Sequence, residues 1–268
     1  MQQKNSVAVG VALACLAALL WSGNYVVARG LHQKITPVSL AFFRWLTATL
    51  VLMPLAYRPI KEHWPLIKKH GWYLTITALL GVTLFNTFIY VAGRYSSAMN
   101  LAIIGTSAAP IFVLLLAALF LKEKISKLQV GGALVCLAGI LLLISNGDLA
   151  QLQSFKLSSG DVWILAAALA FAIYTLLVRK KPAGLSPIAF LASLFFIGTV
   201  MLLPAFITDA SDGLTFEWSY SMVGVFLYLG VGASVGAFLC WNVAIQKLGP
   251  ARTALFRAKN CESACRRS

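Results

Sequence analysis

The sequence predicts an all-α fold: a polytopic membrane helix bundle of two inverted repeats, with eight full transmembrane helices and a ninth and tenth missing or truncated. Three observations carry that expectation. Of 268 residues, 60% are hydrophobic and only 11% charged, against roughly 25% charged in soluble domains. The apolar residues come in runs of about 20, the length needed to cross a ~30 Å hydrocarbon core. The chain also matches itself at a shift of 150 residues.

Eight runs qualify as spans, near Val7–Ala28, Pro37–Tyr57, Trp72–Gly93, Ala98–Leu121, Leu128–Ser145, Val162–Val178, Pro187–Ile207 and Tyr220–Gln246. Pro37 and Pro187 open their helices, where a missing N–H costs nothing. The last run is long and rich in glycine, which predicts a tilt or a kink. The first has some look of a signal peptide, with Lys4 before an apolar stretch, but it continues through Trp21 to Val27 and reads better as a span.

The repeat is visible residue by residue. Ala17-Ala18-Leu19 returns as Ala167-Ala168-Leu169, and Arg29, Pro37, Thr49, Leu52 and Pro54 return as Arg179, Pro187, Thr199, Leu202 and Pro204. After the outer loop the shift becomes 152, pairing Val91-Ala92 with Val243-Ala244. The prolines weigh most, because they punctuate helices. The units are residues 7–145, with five spans, and 160–256, with three spans and the start of a fourth. An odd number of spans inverts the second copy, the arrangement of many secondary transporters. The final residues, 257–268, form a polar, basic tail that cannot span. The expectation is a second copy cut short by a frameshift or a truncated gene product.

The formal charge of +14 does not point to nucleic acid, because the basic residues sit in short clusters between apolar runs. With a cytoplasmic N-terminus, the inner segments hold thirteen of these residues, including Arg179-Lys180-Lys181, and the outer loops hold four. The loop before the eighth span carries Asp209, Asp212 and Glu217 and no basic residue. That asymmetry predicts the N-inside orientation in a bacterial-type inner membrane. Cys15, Cys136 and Cys240 lie in apolar runs, Cys261 and Cys265 fit no metal or disulfide spacing, and His32, His63 and His70 are loop residues. No metal and no cofactor are expected. Without a phosphate-cradling Gly-Lys-Ser/Thr loop, direct ATP drive is not expected either.

Four segments carry a family resemblance: Ala18-Leu19-Leu20-Trp21-Ser22-Gly23-Asn24-Tyr25, Phe42-Phe43-Arg44-Trp45, Phe120-Leu121-Lys122-Glu123-Lys124, and Leu248-Gly249-Pro250-Ala251-Arg252-Thr253-Ala254. Over nearly its whole length the chain resembles an EamA-type permease of the drug/metabolite transporter superfamily. The resemblance implies a ten-helix inner-membrane protein that moves, and often exports, amino acids or other small metabolites, with the lipid bilayer and a small-molecule solute as partners and a homodimer as one arrangement. Lacking the ninth and tenth helices, this chain departs from the pattern.

Within the spans, a few polar residues stand out. Arg44 lies about two turns beyond Pro37, roughly 10 Å deep at 1.5 Å per residue. A charge at that depth marks a cavity or a partner, or else it snorkels outward or bonds loop carbonyls. Its repeat counterpart is Leu194, so any role is asymmetric; the functional reading is attraction of a substrate carboxylate. Trp21 with Asn24, and Asn86 with Tyr90, share helix faces. Tyr174, Trp241 and Asn242 are their second-half equivalents. Such faces line a solute pathway or, more commonly, hydrogen-bond between helices. Glu123, between Lys122 and Lys124, reads as an interfacial anchor, and Gly232 with Gly236 as a close helix contact. No acid/base pair at depth supports catalysis, so an enzyme is not expected. An intramembrane enzyme on a lipid-linked substrate, and a non-transporting membrane subunit, are the alternatives.

Overall fold

The computed structural model describes residues 2–122, 130–135, 138, 158–211, 218–250 and 253. Among the described residues every regular element is helical. Helix α1 runs Gln2–Gly30, α2 Pro37–Glu62 and the short α3 Trp64–Lys69. One continuous span follows from α4 (Gly71–Ala78) through a π-helical turn (Leu79–Leu84) into α5 (Phe85–Tyr95). Helix α6 is Ala98–Leu121, α7 Ser159–Arg179 and α8 Pro187–Ser211. The last span joins α9 (Tyr220–Leu227), a second π-helical turn (Tyr228–Gly236) and α10 (Ala237–Leu248).

Seven of these stretches are long and apolar enough to cross a membrane. They match seven of the eight expected spans. The remaining one, Leu128–Ser145, lies largely outside the described residues, which within it are helical. Glu123, Lys124 and Lys127, and the tail at 257–268, also lie outside them. Helix α2 runs past its expected end at Tyr57 to Glu62, through Pro54 and Pro59, so those prolines do not stop it. Thr36 begins that helix as its N-cap, accepting from the Ser39 amide, with Pro37 in the first turn. Ser158 and Asp161 do the same for α7 in a reciprocal capping box.

The two repeats interlock rather than sit side by side. Helix α1 packs along α10, and its counterpart α7 packs along α5, so the first helix of each repeat leans on the third span of the other. Helices α2 and α8 form the largest contact of all. At its middle, Thr49 and Thr199 hydrogen-bond at 3.1 Å. These are the same position in the two repeats, so the pseudo-two-fold axis passes between them. Trp21 donates to the Ala233 carbonyl at 2.8 Å, which makes α1 a built-in member of the bundle.

The π-helical turns also obey the repeat. Leu79–Leu84 and Tyr228–Gly236 fall at corresponding places in the third span of each half. Such a turn widens the helix and redirects carbonyls that would otherwise be spent within it. The expected glycine contact shifts accordingly. A methyl group at Gly232 would meet its nearest neighbour at 3.7 Å and one at Gly236 would meet Leu20 at 3.3 Å, whereas at Gly230 it would sit 2.6 Å from Thr47 of α2. Gly230, in the π turn, is therefore the close-approach residue.

Candidate functional site

The eight pathway residues singled out in the sequence are all buried, Trp21, Asn24, Arg44, Asn86, Tyr90, Tyr174, Trp241 and Asn242 alike. The structure gathers Asn24, Arg44 and Tyr90 into one hydrogen-bonded cluster and Tyr174 with Asn242 into a second, joined by aromatic rings that include Trp21 and Trp241; Asn86 belongs to neither.

Arg44 holds the first cluster. Its side chain is 0% exposed, so it neither snorkels nor bonds loop carbonyls. Nε donates to Ser234 Oγ at 2.7 Å. Nη1 donates to Asn24 Oδ1 at 2.7 Å and to the Tyr90 hydroxyl at 2.9 Å. Nη2 donates to the Ala233 carbonyl at 3.0 Å. Two of these partners come from the first repeat and two from the π turn of the second. Each one is neutral. The described acidic residues are Glu62, exposed at the end of α2, and Asp161 and Asp209 near helix ends, and none of them bonds Arg44. A buried cation usually has a carboxylate beside it. This one relies on four oxygen dipoles and on the Trp45 ring, 5.1 Å from Cζ.

The second cluster repeats the first with its residues exchanged. In the first half, Asn24 of α1 accepts from Tyr90 of α5 at 3.1 Å. In the second, Tyr174 of α7 donates to Asn242 of α10 at 2.7 Å. Tyr174 stands where Asn24 stands, and Asn242 where Tyr90 stands. Leu194, the counterpart of Arg44, brings no charge to this pair. Asn242 Nδ2 is buried with no protein partner.

Aromatic rings bridge the clusters. Trp21 lies 5.3 Å from Trp241 and 5.4 Å edge-on from Phe171. Phe171 in turn lies 4.6 Å from Phe85. The indole N–H groups of Trp45 and Trp241 and both amide atoms of Asn86 are buried and unpaired. Each such group costs about 1–3 kcal/mol. Unpaired buried groups of this kind are few in native structures.

The two ends of the bundle differ. At one end Asp209, in the last turns of α8, accepts from Ser39 Oγ at 2.6 Å and from Thr36 Oγ1, clamping α8 to the start of α2. Above that clamp Phe42 stacks on Phe206 at 4.1 Å, and Phe43 packs on Phe226 and Trp218 at 5.1 and 5.4 Å. Neither Asp209 nor Ser234 was legible as a site residue in the sequence. At the opposite end, a cavity of roughly 260 Å³ opens beside Lys181 and Lys247 and reaches in to Asn242. Lys181 donates to the Leu185 carbonyl, and partial burial lowers the pKa of its ammonium from the ordinary lysine value. A groove between α2 and α8 also runs toward this end, lined from Leu46 and Thr49 to Pro54 and Tyr57.

Comparison with known proteins agrees with this architecture. The family described as the EamA-like transporter family matches residues 8–145 and 158–258. An "uncharacterized transporter" of Archaeoglobus fulgidus is 28% identical over 251 residues, covering 91% of this chain and 82% of the relative. The "uncharacterized inner membrane transporter YhbE" of Escherichia coli K12 is 24% identical over 241 residues, covering 87% and 72%. A solved structure described only as a crystal structure of a protein superposes with a TM-score of 0.70 at 18% identity, covering 94% of this chain and 84% of the other. That likeness is one of fold.

Proposed function

Because the chain belongs to the EamA-like transporter family, we propose that it is a secondary transporter or facilitator that exports a small carboxylate-bearing metabolite, such as an amino acid, across the inner membrane. The observation that carries the reading is Arg44, a fully buried cation with four neutral partners drawn from both repeats.

The geometry suggests how binding is coupled to movement. With no solute, the guanidinium ties Asn24 and Tyr90 to Ser234 and the Ala233 carbonyl, and so ties one repeat to the other. A carboxylate offers Arg44 charge-assisted, bidentate bonds, roughly twice as strong as bonds to neutral acceptors. It displaces the Ser234 and Ala233 side of the lock and frees the repeats to separate at the Asp209 end. Rocking about the Thr49–Thr199 contact then exposes the pathway alternately at the two ends. The excess of basic residues at the Lys181 end supports a cytoplasmic side for that end and for the N-terminus, so that a solute loaded there leaves past the clamp.

The test is counterflow in liposomes containing the purified full chain, with a panel of labelled amino acids and organic acids. Arg44→Gln should cut transport at least about tenfold with a raised KM, because the amide cannot replace the charged fork. Arg44→Lys keeps the charge, loses the fork and should fall between. Wild-type rate and affinity in Arg44→Gln would remove the arginine from the pathway.

A further inference from the structure

We propose that the cavity at the Lys181 end is a second solute site, one that binds the carboxylate of a small organic anion and discriminates against a zwitterion. Its role in loading rests on the transport reading above, narrowed to a simple carboxylate rather than an amino acid, but its binding does not.

The site has a built polar floor. Asn242 is 5% exposed and lines the cavity. The Tyr174 hydroxyl occupies its Oδ1, which fixes the amide so that Nδ2 is the group left unpaired. Nδ2 itself is enclosed, within a residue that lines the cavity, and it lacks an acceptor. At the mouth stands Lys181, whose ammonium spends one of three N–H donors on the Leu185 carbonyl. Lys247 lines the same cavity, and Arg179 and Lys180 adjoin it in sequence.

The walls define the rest of the ligand. Val178, Pro187, Phe190 and Val243 are apolar. The volume, roughly 260 Å³, lies just below the ~300–1,000 Å³ typical of drug-sized sites, which suits a small metabolite with a short hydrocarbon body. Among the described residues, no carboxylate lines the cavity to receive an ammonium group. A zwitterion would place its positive end among lysines, whereas a simple carboxylate places negative charge there and nothing else.

Repeat symmetry explains why the site exists at this end alone. In the first half, the Asn–Tyr pair is occupied by the chain's own guanidinium. In the second half Leu194 brings no such side chain, and the equivalent pair borders the cavity on the Lys181 side.

The experiment is binding to the purified full chain in detergent, by titration calorimetry at neutral pH, with three probes of one shape: 4-methylpentanoate, 4-methylpentanamide and L-leucine. The carboxylate should bind at least about tenfold more tightly than either neutral-overall probe, and Lys181→Gln should erase most of that margin while Lys181→Arg keeps it. Because Lys181 lies outside the spans, its exchange should leave the fold intact, and Lys247→Gln provides a second reduction in charge. Equal binding of acid and amide, or tighter binding of leucine, overturns the proposal, as does a preference that survives both lysine variants. Intact binding in a protein that transports nothing would strike the transport reading and leave this site standing.

Discussion

The Arg44 and Asn242 clusters are two versions of one site, and the contrast between them shows how a duplicated scaffold acquires direction. Both consist of an asparagine and a tyrosine facing each other between the first helix of a repeat and its third span. One pair holds an arginine that reaches across to the other repeat; the other ends in an unpaired amide above an open cavity. The helices, caps and π turns are shared, so the difference traces to single side chains, Arg44 against Leu194 first among them. Identical halves would make a bundle whose two ends behaved alike. Here one end is clamped and the other open.

The largest effect should come from removing the asymmetry at its source. Arg44→Leu, which makes the two halves alike, leaves Ser234 and Asn24 short of donors. It should abolish transport and lower stability by about 2–3 kcal/mol, read as thermal unfolding in detergent. Next, Gly81→Val would drive a side chain into the Tyr174 ring, since even a methyl group there would sit 2.2 Å from it. The folded yield should drop sharply, by fluorescence-detected size exclusion, with a cost of about 1–3 kcal/mol or more from overpacking. The clusters can then be compared directly by deleting one hydroxyl from each. Tyr90→Phe takes from the buried Arg44 one of its four acceptors and should cost about 1.5–3 kcal/mol, whereas Tyr174→Phe breaks a bond between neutral groups and should cost about 1 kcal/mol. Equal losses would mean that the arginine does not depend on the Tyr90 hydroxyl. The smallest effect is expected on the axis. Thr49→Val removes one interhelical bond while Thr199 keeps its bond to the Phe195 carbonyl, so a loss near 0.6 kcal/mol is the expectation.

Much of this was written in the sequence, for reasons that separate cleanly. The spans were legible because a bilayer imposes a length and a composition on every helix, and Pro37 and Pro187 marked two starts to the residue. The inward faces were legible because an amide or an arginine has no other place to go in hydrocarbon, so Asn24, Arg44 and Asn242 could be picked out singly. Their partners could not. The bond from Arg44 to Ser234 joins positions 190 residues apart, and no local pattern encodes it. The π turns were hidden because the glycines that permit them look like ordinary packing residues; Gly232 and Gly236 suggested close contact, while Gly230 makes it. Asp209 looked like one more charge in an acidic loop, and only its meeting with Thr36 and Ser39 makes it a clamp.

The bond between Thr49 and Thr199 has a consequence for the history of the chain. A residue that touches its own copy must, before the copies were joined, have touched itself in a pair of separate, identical chains. In such a pair every mutation arrives twice, once on each side of the axis. An arginine at the position of Arg44 would have brought a second buried arginine with it, in the seat that Leu194 now fills. Joining the two copies in one gene ended that constraint and let each half be edited alone. Such edits, one residue at a time, are how the two halves came to differ at Arg44 and Leu194.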